Sequence, residues 1–116
     1  MTTTVKIKEG VICCSDHYYA PVAKIIYVAG RHWPEGQDLT ITRGCEDCPD
    51  SSPTSRHPKG KAFDLRTRDL PETIDRQELF DKIYSELGIG YYGYFKRYHD
   101  KSTGQRIEWI HLQYNG

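Results

Sequence analysis

The chain has 116 residues, the size of one ordinary domain. Sixteen basic side chains balance sixteen acidic ones, so bulk attraction to nucleic acid or to an anionic membrane surface is not expected. No apolar run approaches the roughly eighteen residues of a membrane span, and the segment from Met1 to Ser15 lacks the apolar stretch of a secretory signal, so synthesis in the cytoplasm without one is expected.

Val5, Ile7 and residues 11–14 read as a short extended segment broken at Gly10, pairing at a sheet edge or covering one. From Asp16 as N-cap, the apolar positions Ala20, Val22, Ala23, Ile25, Ile26 and Ala29 have helical spacing, with Gly30 as the stop. Proline is tolerated only near a first turn, so Pro21 makes the helix begin close to Ala20 or kink there. Residues 32–36 read as a turn, residues 38–43 as a strand ended by Gly44, and residues 45–54 as a surface loop.

Residues 61–67 alternate as a strand, with Ala62 and Asp64 on one face and Phe63 and Leu65 on the other. Asp75 and Glu78 make a capping box, with Ile74 and Leu79 as its hydrophobic staple. The helix that follows gathers Leu79, Phe80, Ile83, Tyr84 and Leu87 on one face, and Gly88 stands where a left-handed cap would. Residues 91–98 form an aromatic strand, residues 100–105 a hairpin loop, and residues 106–114 the last strand. Two helices interleaved with a mainly antiparallel sheet predict a small α+β domain over residues 1–116.

The chemistry concentrates in two places. His57 and Asp64 have six residues between them, including Pro58 and Gly60. Neutral imidazole and a carboxylate oxygen are both good zinc ligands, and glycine lets the backbone bend so that both reach one ion. His111, three positions after Glu108, is the remaining strong candidate. Three protein ligands with a fourth position open are the mark of a catalytic zinc, and Glu108 would be the general base beside its water. On a regular strand residues three apart face opposite ways, so Glu108 and His111 converge only if the strand bends or bulges between them. Two histidines and one carboxylate also suit iron or manganese.

The pattern Ser55-x-His57-x-x-Gly60-x-Ala62-x-Asp64, followed by Glu108-x-x-His111, resembles the M15 family of zinc peptidases: D-Ala-D-Ala dipeptidases, carboxypeptidases and phage endolysins that cut peptidoglycan stem peptides. The likeness runs from roughly Leu39 to Gln113, about two thirds of the chain. It implies a Hedgehog/D-Ala-D-Ala peptidase-like fold, one Zn2+ held by His57, Asp64 and His111, and Glu108 as catalytic base. It also implies a stem-peptide substrate, reached after lysis or by a separate export route. Family members often present an arginine or another polar group from the preceding strand and loop, where this chain has Cys45-Glu46-Asp47-Cys48. Arg43 and Arg56 are the candidates to grip a substrate carboxylate with paired hydrogen bonds, and Ser55 to support a ligand.

The expected partner is a stem peptide and not nucleic acid or membrane, and a monomer is expected. Two other readings stay open: a non-catalytic module stabilised by zinc, such as a phage-particle component, or a zinc amidase of a non-wall substrate. Cys13, Cys14, Cys45 and Cys48 are not assigned to the site; thiols, a disulfide and a second, structural metal all remain open for them.

Overall fold

The computed structural model describes residues 3–11, 19–44 and 61–116. Its elements in chain order are β1 (Val5–Ile7), α1 (Ala20–His32), β2 (Leu39–Arg43), β3 (Ala62–Arg66), α2 (Arg76–Leu87), β4 (Tyr91–His99) and β5 (Arg106–Tyr114). The strands form one sheet in the order β1-β2-β3-β5-β4. β1 runs parallel to β2, and every other neighbouring pair is antiparallel. The expected α+β class therefore holds at the level of two helices on a mostly antiparallel sheet.

Both helices cover the same face of that sheet. Val22, Ile25, Val28 and Ala29 from α1 meet Leu79, Phe80, Ile83 and Leu87 from α2 over Leu39, Ile41, Phe63, Leu65, Ile110 and Leu112. Each fully buried Ile or Leu in this layer contributes about 1.5–3 kcal/mol through the water it no longer contacts. The opposite face carries no helix among the described residues, and it bears the site.

Helix α1 starts where the proline allows, with Pro21 in its first turn and Tyr19 as N-cap; the cap expected at Asp16 falls outside the described residues. It also runs past Gly30 to His32, because Trp33 is buried as the C-cap and its N–H closes on the Ala29 carbonyl. The indole of Trp33 then donates to the Asp38 carbonyl at 3.0 Å and ties the turn down. His32, taken from sequence as a turn residue, ends the helix and meets Glu86 of α2 at 2.8 Å.

Helix α2 begins as its capping residues predict: the Asp75 carboxylate accepts from the Glu78 N–H at 3.0 Å. Glu78 points outward to Lys82 at 3.0 Å. Gly88 has a positive φ of 78° with ψ at −153°, so it closes the helix outside the left-handed helical region expected for it. The hairpin loop holds as read: Asp100 accepts from the Ser102 and Thr103 N–H groups, and its own N–H meets the Gln105 carbonyl.

Candidate functional site

One residue from each of four strands lines up across the open face. The β3–β5 register sets Asp64 opposite His111, and the β4–β5 register sets His111 opposite Tyr94. On the other side of Asp64 the β2–β3 register shifts between Ile41 and Arg43, which brings Arg43 opposite Asp64. Without that shift Arg43 would share the face of Ile41 and point at the helices. One extra residue in a strand re-aims the side chain beyond it. The outcome is a row, Arg43, Asp64, His111 and Tyr94, running at right angles to the strands.

Asp64 and His111 are both buried, and Oδ1 of the acid stands 2.8 Å from Nδ1 of the imidazole. The Tyr94 ring stacks on the His111 ring with 4.9 Å between centroids and 14° between planes. Burial first, and then the nearby Asp64 charge, push the Tyr94 phenol above its usual pKa. An open cleft of about 330 Å³ adjoins the row, with Lys8, Arg43, Asp64, Arg66, Arg68, Glu108 and Trp109 in its wall. Cations thus outnumber acids beside the pair, an environment suited to an anionic group on a ligand.

Glu108 borders this cleft, but its side chain is not brought to the pair. The register of β5 with β4 is continuous from Arg106 to Tyr114, with no bulge between positions 108 and 111. Glu108 therefore takes the parity of the core residues Ile110 and Leu112, and His111 the opposite one. On the helix-covered side its fully buried carboxylate meets Arg76 Nε at 2.9 Å and Arg97 Nε at 2.6 Å, with Arg106 Nε at 3.6 Å.

Arg76 is the first residue of α2 and is itself buried. Its remaining donors reach the carbonyls of Thr67, Leu70, Pro71 and Ile74, so one guanidinium holds the whole β3–α2 connection. Burial alone would raise the Glu108 pKa, but the groups around it outweigh that and hold the carboxyl below its usual range. The buried Thr67 hydroxyl lies beside the carboxylate without closing a hydrogen bond of good geometry, so the guanidinium donors of Arg76 and Arg97 carry the effect.

Ser55, Arg56 and His57 lie outside the described residues, as do Asp16, Cys13, Cys14, Cys45 and Cys48. Among the described residues no group of three His, Cys, Asp or Glu is placed to hold a metal ion. The two expected ligands that are described do converge, and their chemistry fits one. Neighbouring ligand atoms of a tetrahedral zinc stand about 3.4 Å apart, so Oδ1 and Nδ1 would separate by about half an ångström to admit it.

Sequence reasoning missed Tyr94 as a neighbour of the pair and the Arg76–Glu108 ion pair beneath the sheet. Alternation along residues 91–98, set in register with β5, is the signal that finds the first. The second had none in the sequence beyond the charges themselves. Searches against protein-family models, curated proteins and solved structures gave no match for this chain. No helix among the described residues is long and apolar enough to cross a membrane.

Proposed function

We propose that the protein is a zinc-dependent peptidase that hydrolyses peptide bonds in peptidoglycan stem peptides, built on a Hedgehog/D-Ala-D-Ala peptidase-like fold. The observation that supports it is the buried Asp64–His111 contact at 2.8 Å on adjacent strands, beside a cleft rich in arginine. His57 enters as the third ligand from the sequence motif, and the peptidoglycan substrate from the family resemblance. Bound zinc would polarise the scissile carbonyl and make hydroxide available near pH 7.

The chain's own residues do the rest. Asp64 and His111, each fixed mid-strand in a sheet, would hold the ion with little loss of freedom on binding. Tyr94 covers one face of the imidazole and keeps water from it. Arg43, in line with Asp64, is placed to take a substrate carboxylate or the negative charge that develops on the carbonyl oxygen. Glu108, engaged by Arg76 and Arg97 on the other side of the sheet, serves as an ion-pair centre in this reading and not as the base.

Metal analysis and mass spectrometry of digested muropeptides test the assignment together. One zinc per chain is expected, with Asp64→Ala and His111→Ala each emptying the site and abolishing product. Stoichiometric zinc in His111→Ala would remove the metal centre from this sheet. Zinc-loaded wild type inert on every muropeptide would favour the non-catalytic module, and one cleaving only small amides would favour the amidase.

A further inference from the structure

We infer that Gln113 is a positioning residue that decides which nitrogen of His111 faces the metal, an inference that rests on the zinc reading above. Gln113 stands two places beyond His111 on β5, so the two side chains share the open face. Its Oε1 lies 2.7 Å from His111 Nε2, while its Nε2 donates to Asn115 Oδ1 at 2.6 Å. The Asn115 contact orients the amide, nitrogen outward and oxygen toward the ring.

An amide oxygen can only accept, so the ring nitrogen it meets carries the proton. Neutral imidazole has one N–H; with that at Nε2, Nδ1 presents a lone pair. Nδ1 is the atom 2.8 Å from Asp64 Oδ1, and an ionised carboxylate offers only lone pairs too. Two lone pairs aimed at each other repel unless a positive centre lies between them; a second ring proton supplies it in the metal-free protein, and a metal ion held by both atoms replaces that proton.

The other tautomer, with Nδ1–H donated to Asp64, would satisfy the pair without any metal. It would also leave Nε2 facing the Gln113 oxygen lone pair to lone pair. Gln113 therefore biases the ring toward its metal-ready form, and the Tyr94 ring stacked on one face restrains it from tilting. Groups that hold the far nitrogen of a ligating histidine act on affinity by fixing the tautomer in this way.

Zinc affinity measured by competition with a chromophoric chelator, and long-range 1H–15N spectra of His111 in the zinc-loaded protein, test the inference. Wild type should show zinc at Nδ1 and a proton at Nε2. Gln113→Leu should bind zinc about 10-fold or more weakly, with unchanged circular dichroism, whereas Gln113→Glu keeps an acceptor in place and should restore affinity. Asn115→Ala, an exposed change that releases the amide, should weaken binding in the same direction but less. Gln113→Leu binding zinc as tightly as wild type, or a spectrum showing the metal at Nε2, overturns the inference and leaves the peptidase reading standing. Wild-type protein that takes up no zinc overturns both.

Discussion

Replacing Glu108 by alanine separates the two roles open to that residue. The carboxylate is fully buried against Arg76, which is 3% exposed, so its loss leaves a guanidinium without its counter-charge in the protein interior. Breaking a buried ion pair from one side costs about 3–5 kcal/mol. Arg76 keeps four backbone carbonyls around its other two nitrogens, which places the expected loss near the lower end, about 3 kcal/mol. In a domain of this size each kcal/mol moves the midpoint by about 4 °C, so Tm should fall by about 12 °C.

Glu108→Gln retains an acceptor for Arg76 Nε and should cost only about 1–2 kcal/mol. Urea unfolding gives both numbers, read at unchanged m-value so that the difference is one of native stability. The reasoning is refuted if Glu108→Ala unfolds at the wild-type urea midpoint, binds zinc normally and yet cleaves no stem peptide. That combination would return the residue to catalysis.

The same carboxylate gives a pH signature. Its folded-state pKa is depressed, so its stabilisation is complete above the unfolded value of about 4.3 and is lost as pH falls through the lower folded value. Acid unfolding of Glu108→Gln should accordingly lose that component of the pH dependence. Gly93→Ala would set a Cβ 2.8 Å from Leu112 Cδ2 and closer still to the His111 carbonyl, so the β4–β5 pairing must give way. A loss of about 2–3 kcal/mol in chemical unfolding is expected, and a neutral result would show that the hairpin yields easily. Asp75→Ala removes the hydrogen bond that starts α2 and should cost about 1 kcal/mol by the same measurement; a change within a few tenths would mean that Arg76 alone secures that end.

The elements were legible where local chemistry is strong. The capping residues at Asp75, the proline near Ala20 and the aromatic alternation after Gly90 each specify backbone within a few residues, and the helices and strands follow them. The end of α1 was not legible, because Gly30 is a fair stop by propensity and is overruled by burial of Trp33 three places later. Of the site, Asp64 and His111 could be paired from spacing and ligand chemistry. The place of Glu108 could not, since it depends on whether β5 carries a bulge, and a strand's regularity is settled by its neighbours on both sides.

The irregularity that does exist lies two strands away. Thr42 is the supernumerary residue of β2, and because the register shift absorbs it, Arg43 stays out of the hydrocarbon layer and in line with Asp64. Were the strand regular at its present length, Thr42 would stand opposite Asp64 and Arg43 would move on to face Phe63 and the helices, whereas deleting Thr42 would leave Arg43 next after Ile41 and still opposite Asp64. The polarity of the cleft thus hangs on the sheet absorbing one surplus residue between Ile41 and Arg43 as an irregularity and not passing it along the strand.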